Sequence, residues 1–438
     1  QSTAGFPKKG YDVDFNEDHR FRLSPNLARM KDINLLTNYA DKSKVRNTLA
    51  YETLKHTGTG YHLAFPVRLQ RNGTFFQVSD FVEDPDDRWL ERLGLDPEAP
   101  LYKMYDNLSS VNAAEKKNRK WEDKSDLQAL INGLGQTGQA LRNFLYDNIN
   151  IAAMVNFHVG LTIIADMDCC HKNYYAYRDV NGTLEWWYLP WDVDLSFGRN
   201  WIKSKTYFDD TMHPDNPLFS GTNNRLTGPL MALPEFKQMY LRRLRTVMDM
   251  LLQPPGTPPE ELAFERRIDE LVTQIGYDGF LDFQAWPKWG EVQTMEVAAN
   301  IIKNDFLAPR RIFLYQTQST PGGGPIPGPQ GDAQVVVSAV DLSPQDPSQA
   351  WIALENPNDF AVDLSGWMVT ANRISMRLWP GTVIPAKGTL YLTPDAVAFR
   401  SRPTPPTGGQ GLFVQGNWQG VLIDPASITL SKPDNWPY

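Results

Sequence analysis

Asp166-Met-Asp-Cys-Cys-His-Lys-Asn-Tyr-Tyr175, followed after a short interval by Trp191-Asp-Val-Asp-Leu-Ser-Phe-Gly198, is the part of this 438-residue chain on which the reading of the rest depends. Upstream, Asn148 to Ile164 is apolar nearly all round, as a buried helix is. Downstream, Glu185 to Leu189 has the composition of a strand. The first stretch is therefore a loop between a core helix and a strand pair, and Asp168 and Asn173 leave it five residues apart. A carboxylate and a carboxamide at that spacing can converge on one reacting group. The same letters also suit a hydrogen-bonded turn. Asp192 and Asp194 follow a strand, and if that strand continues they point the same way. A shared cation would then offset their repulsion. Trp191, Leu195 and Phe197 give the pair a largely buried setting.

Working outward, Tyr11 to Phe15, Ala64 to Leu69 and Thr74 to Val82 alternate as strands do. Asn72-Gly73 joins the last two as a hairpin, because both residues accept positive φ cheaply. Lys44 to Lys55 and Asp126 to Gly133 carry helical spacing. The region from Pro234 to Gln316 is helical, with Leu241, Leu244, Val247, Met248 and Leu251 on one stripe. Thr257-Pro-Pro-Glu260 spells a capping box opening a further helix. A Pro/Gly-dense segment, 316–333, reads as a linker. The domain boundaries expected are thus 1–315, 316–333 and 334–438.

Composition excludes some classes. Hydrophobic residues make up 41% and aromatics 12%, a globular balance, while the net charge is -8 with no long basic run, so a nucleic-acid partner is not expected. The longest apolar stretch, Ile151 to Ala165, is interrupted by Asn156 and His158 and is too short to span a bilayer. No transmembrane segment is expected. The chain begins at Gln1 without Met, so a processed or incomplete N-terminus is expected. The two cysteines, Cys169 and Cys170, are adjacent and cannot staple distant parts of a fold; they are read as inert, partly buried thiols, with a redox switch as the alternative. His171 in the same loop could contact phosphate. Gly133-Leu-Gly-Gln-Thr-Gly138 spells a dinucleotide fingerprint, but it follows a helical segment and lacks a βαβ setting.

Asp168 and Asn173 have the spacing of a kinase catalytic loop, and Asp192 lies where kinases place a metal-binding acid. Six pieces in order strengthen the likeness: Gly5-Phe-Pro-Lys-Lys-Gly-Tyr11, Asn38-Tyr-Ala-Asp-Lys-Ser-Lys-Val-Arg-Asn47, Asn72-Gly73 with Glu83, Leu101-Tyr-Lys103, the Asp168 loop, and Trp191 to Gly198. Over residues 1 to about 316 the chain resembles the CotH (spore coat protein H) kinase family. The resemblance implies an α+β, atypical protein-kinase-like domain using ATP and Mg²⁺ to phosphorylate Ser or Thr of extracellular or surface proteins. It implies Asp168 as the catalytic base or substrate-orienting acid, and Asn173 and Asp192 as Mg²⁺ ligands, with Asp194 alternative or additional. Lys103 and Lys9 are the two candidates for the phosphate-binding lysine, Glu83 its ion-pair partner, and Trp191 a wall of the nucleotide pocket; Arg46 is read as structural. Two departures stand out: Asp166, where the family often has Asn, and Gln77-Val78-Ser79 in place of Gly-Val-Tyr. The alternative is a kinase-fold surface or matrix protein without catalysis.

Beyond residue 334, short strand-like runs at Gln334–Val340, Trp351–Asn356, Val362–Met368 and Thr389–Leu392 suggest an all-β sandwich. Glu355-Asn356, Asp363-Leu-Ser-Gly-Trp367 and Ile384-Pro-Ala-Lys-Gly388 resemble a lamin-tail domain of immunoglobulin-like fold, which implies a binding or anchoring role and a secreted or cell-surface location.

Overall fold

The computed structural model describes residues 5–166, 168–199, 212–219, 221–288, 290 and 292–432. The N-terminal part opens with an antiparallel sheet of β1 (Tyr11–Asp14), β2 (Asp32–Thr37), β3 (Ala64–Arg71) and β4 (Thr74–Glu83) in the order β1-β2-β4-β3. The β3–β4 turn is Asn72-Gly73, both at positive φ, as the dipeptide predicts. Helix α1 (Arg46–Thr57) and the short α2 (Asp87–Arg92) flank this sheet. A second sheet, ordered β6-β5-β7-β8, is built from β5 (Leu101–Met104), β6 (Ala114–Lys116), β7 (Tyr174–Arg178) and β8 (Trp186–Pro190).

Helices α3 (Ser125–Gly133), α4 (Gly138–Asn148) and α5 (Ile151–Ile164) separate β6 from β7. The Gly133–Gly138 stretch is a turn between two helices, so no dinucleotide loop exists there. Asn150 caps α5 by accepting the Ala153 N–H at 2.9 Å, and the helix ends at Ala165 in the left-handed conformation. Its buried surface packs against α1, β8 and α7 (Pro234–Val247), which follows the short α6 (Thr227–Ala232). Helices α8 (Ala263–Ile275), α9 (Tyr277–Ala285), α10 (Met295–Ile301) and α11 (Ala308–Ile312) complete this part. The capping box at Thr257 does not form. The Thr257 hydroxyl bonds the Pro254 carbonyl, Pro259–Glu261 is a separate 3₁₀ turn, and α8 starts after Leu262 without a side-chain cap.

From residue 336 the chain is strand-rich: β9 (Val336–Asp341), β10 (Trp351–Glu355), β11 (Val362–Asp363), β12 (Met368–Ala371), β13 (Ile374–Arg377), β14 (Val383–Ile384), β15 (Thr389–Leu392), β16 (Phe413–Gln415) and β17 (Thr429–Ser431), with α12 (Ala396–Arg400) inserted. They form sheets ordered β16-β15-β10-β9, β11-β14 and β13-β12-β17, and the β15–β16 pair is parallel.

The two parts share one apolar core, which runs from Val45 and Phe157 to Ile352 and Leu390. Fully buried Arg243 of α7 joins them: Nη1 lies 3.2 Å from Asp363, Nε donates to Asn156 Oδ1 at 2.9 Å and Nη2 to the Thr57 carbonyl at 2.9 Å. Arg400 of α12 reaches Glu185 and the Thr183 and Tyr146 carbonyls. The Pro/Gly segment is held too. Ile326 is fully buried, the Pro327 and Gly328 carbonyls accept from Arg245 and Arg242, and Gln330 exchanges hydrogen bonds with the Asp363 backbone.

Candidate active site

Hairpin register explains why two separated stretches meet. Tyr174 of β7 pairs with Pro190 of β8, so the residues just outside that pair, Asn173 and Trp191, are neighbours, and the Trp191 N–H donates to the Asn173 carbonyl at 3.3 Å. Strand β5 adds the third wall, because Lys103 pairs with Tyr175. Asp168, Asn173, Trp191, Asp192 and Lys103 are thus delivered to one end of one sheet.

The loop is shaped by its own carboxylates. Asp166 Oδ1 accepts the Asp168 N–H at 2.9 Å. Asp168 Oδ2 in turn accepts from Asn173 Nδ2 at 2.7 Å, which leaves Asn173 Oδ1 without a donor among the described residues. Asp168 is flanked by His171 Nε2 at 3.6 Å and Lys172 Nζ at 4.0 Å. Burial pushes the Asp168 carboxyl above the ordinary aspartate range, against the pull of Lys172 and His171. Asp166 is held well above it, chiefly by burial and also by Asp168, Asp192 and Asp194; its Oδ2 is buried without a partner.

Strand β8 ends at Pro190 and Asp192 sits at φ 59°, so Asp192 and Asp194 are not the alternating strand pair expected. Asp192 is solvent-accessible, yet protein crowds it closely; that crowding raises its carboxyl, against the fields of Lys172 and Lys103. Asp194 acts on Arg46, which is buried, bonds Asp41 at 2.5 Å and donates to the Ser196 carbonyl at 3.1 Å. Arg46 is therefore a brace between α1 and this segment. Lys103 Nζ lies 5.4 Å from the Trp191 ring centre and 5.6 Å from that of Tyr105. Burial, with Lys117 second, lowers its ammonium below the usual lysine range. Trp191 also meets His62 edge-on at 5.0 Å, and His62 stacks on Trp89 at 4.4 Å.

Other expectations fail on geometry. Glu83 gives both oxygens to Arg92, at 2.6 to 3.0 Å, and accepts the Leu63 N–H, so it pairs with neither candidate lysine. A buried acid on β4 takes the cation that helix α2 supplies. Lys9 is exposed, whereas Lys8 is fully buried, 2.5 Å from Asn38 Oδ1 and 2.9 Å from the Asp282 carboxylate. Lys44 shares Asp282 at 2.7 Å, and Asp80 accepts from Asn38 and Asn47. Burial and then Lys44 bring the Lys8 ammonium down to about 7, and burial brings Asp80 up to about 6. This network was missed, although Asn38 and Asn47 bound the quoted motif. Cys169 and Cys170 are not thiols; they form a disulfide, both residues nearly inaccessible. Adjacent cysteines cannot link distant segments, but they can close on each other.

Among the described residues, no group of three or more His, Cys, Asp or Glu side chains converges as a metal cluster. None of the helices among them is long and apolar enough to cross a membrane.

A loop Asp held by an Asn, with an acid and a lysine across from them, is a kinase-like arrangement. Residues 1–314 match the family model described as CotH kinase protein, and the chain belongs to that family. No curated protein sequence matches it. Among solved structures, a chain of the Shewanella oneidensis MR-1 toxin–antitoxin complex of HipA, HipB and operator DNA is 14% identical, with 71% of this chain and 64% of that chain covered and a TM-score of 0.29. The Helicobacter pylori proinflammatory kinase CtkA is 10% identical, with 69% and 97% covered and a TM-score of 0.25. At those scores neither likeness bears on the chemistry of this chain.

Proposed function

We propose that this protein is an atypical protein kinase that transfers the γ-phosphoryl group of ATP to Ser or Thr side chains of extracellular or surface proteins. The observation carrying the reading is the Asp168–Asn173 contact at 2.7 Å beside Asp192 and Lys103. Asp168 would orient the acceptor hydroxyl and take its proton, a role suited by a carboxyl whose burial raises its proton affinity. Lys103, partly stripped of water against Trp191, would pair with the nucleotide phosphates, and the indole would wall the base pocket. Lys172 and His171, flanking Asp168, would meet negative charge arriving at the acceptor. Asn173 through its free Oδ1 and Asp192 would hold Mg²⁺, with Asp194 in reserve. These hard oxygen donors, in a setting where four carboxylates crowd one another, fit that cation. Mg²⁺ bound there would supply charge neutralisation at the phosphates.

We also read the C-terminal strands as a lamin-tail-like, immunoglobulin-type sandwich that binds or anchors. The Asp363–Trp367 and Glu355-Asn356 sequences support that reading, and it accords with a secreted or cell-surface protein. A second functional reading, a kinase-fold assembly protein without catalysis, is favoured by one observation: Glu83 is consumed by Arg92, so no acidic partner from β4 positions Lys103.

The test is label transfer from γ-labelled ATP with Mg²⁺ to the chain itself and to a Ser/Thr-rich acceptor. Native activity that Asp168→Ala abolishes is the expected result. No transfer and no nucleotide-dependent rise in melting temperature would overturn the kinase reading.

A further inference from the structure

A cleft of about 600 Å³ lies where the N-terminal part meets the C-terminal strands, and none of Asp168, Asn173, Asp192 or Lys103 lines it. Its walls come from the turn after α1, from the segment after α2, from β7 and β8, and from Trp379-Pro380 of the C-terminal part. The seam is tight beside it: a Cβ on Gly58, at φ 87°, would stand 2.3 Å from Pro380 Cβ. The cleft is thus bounded by fixed surfaces on both sides.

Its chemistry combines two features. Trp187 and Trp379 are half-buried, and their indole N–H groups have no hydrogen-bond partner among the described residues, although they are not sealed from solvent. The Tyr61 hydroxyl is in the same condition, and Lys55 makes only a contact of 5.7 Å with the Tyr61 ring. Within reach of solvent, these donors can serve a ligand that enters the cleft. On the acceptor side, Asp179 gives Oδ2 to the Thr183 N–H and hydroxyl, which leaves Oδ1 without a protein donor. Of the ionisable lining, Arg92 is already held by Glu83, which leaves Lys55 against Asp96 and Asp179. Such a lining selects against nucleotides and other strongly charged ligands. It suits a neutral molecule that offers donors and acceptors around its rim and apolar C–H faces to indole rings.

We propose that this interdomain cleft binds a neutral saccharide, with Trp187 and Trp379 as stacking surfaces and Asp179 as hydroxyl acceptor. A proline-rich peptide would also lie on aromatic rings and accept from the indoles. It carries few donors for Asp179. The cleft is therefore assigned to sugar. Because Trp379 comes from the C-terminal part, the site exists only while the two parts are docked.

The experiment titrates the full chain with neutral hexasaccharides (α-glucan, β-glucan, xylan and N-acetylglucosamine oligomers) and follows tryptophan fluorescence and calorimetric heat. Saturable binding of at least one is expected. Asp179→Asn and Trp379→Ala should each weaken it about tenfold, a change of roughly 1.4 kcal/mol. Trp379→Phe, which keeps a ring at the seam, should bind nearly as well as the native chain, and melting temperatures identify any variant that has lost its docking. Binding to none of the four oligomers, binding unaffected by both Asp179→Asn and Trp379→Ala, or saturation by a proline-rich peptide instead would each overturn the proposal.

Discussion

Replacing Arg243 tests the claim that the two parts of the chain fold as one body. Its guanidinium is wholly buried and serves three partners from three elements: Asp363 of β11, Asn156 of α5 and the last residue of α1, Thr57. Asp363 is also wholly buried, and its remaining bonds come from the Ser365 N–H and hydroxyl. Arg243→Met would strand a buried carboxylate, which costs about 3–5 kcal/mol when an internal ion pair loses one partner. The Asn156 and Thr57 oxygens would lose donors as well, at about 1–3 kcal/mol for each acceptor left unsatisfied. These terms overlap, so about 5 kcal/mol is the working figure, comparable to the whole stability of many domains. Asp363→Leu should cost a similar amount, because it leaves a buried cation. The double variant removes both charges together and should recover most of the loss. Urea unfolding of the four proteins gives the cycle directly. The reasoning fails if either single variant costs less than about 1 kcal/mol, if the two costs simply add, or if the native chain unfolds in two separate steps.

Asp166→Asn should leave stability nearly unchanged, since it keeps an oxygen for the Asp168 N–H and removes a carboxyl whose charged form burial disfavours; Asp166→Ala, which orphans that donor, should cost about 1–3 kcal/mol by thermal unfolding. Burial raises the Asp168 carboxyl, so transfer activity should fall with decreasing pH through a value above the ordinary aspartate one of about 3.9, and Lys172→Ala should move that limb higher still in a pH profile of kcat/KM. His158 is buried, with its imidazole held down at about 3. A lowered histidine pKa means its contribution is lost as pH falls below the unfolded value. The stability difference between the native chain and His158→Phe should therefore shrink by about 1.4 kcal/mol between pH 7.5 and pH 5.5; a pH-independent difference would show that the imidazole is not buried neutral.

Local rules carried much of this structure. Asn72-Gly73 specified its hairpin, and the mostly apolar run before Asp166 specified a core helix ending at the catalytic-looking loop, because backbone preference and burial agree at those positions. The site was legible where short-range register delivers it: Asn173 and Trp191 flank a single hairpin. It was illegible where a distant segment decides. Nothing near Glu83 in the chain announces that Arg92 folds back onto it, and nothing near Lys8 announces Asp282, whose carboxylate arrives from 274 residues away. Lys8 and Lys9 lie in irregular chain ahead of β1, where no periodicity tells which of two adjacent side chains is buried. The density of Pro and Gly at 316–333 reads as a linker that cannot build a core element. It could not foretell that Ile326 would be inserted into the core.

Arg243 also has a mechanical meaning. The helix it grips through Asn156 is the one that runs directly into Asp166 and Asp168, and the strand it grips through Asp363 belongs to the C-terminal part. A load applied to those strands, as when a tethered molecule is sheared, would reach the base of the loop carrying Asp168 through this guanidinium as well as through the shared core and the Arg400–Glu185 pair. The arginine is then one rivet of a seam that passes strain at the anchor to the reacting groups.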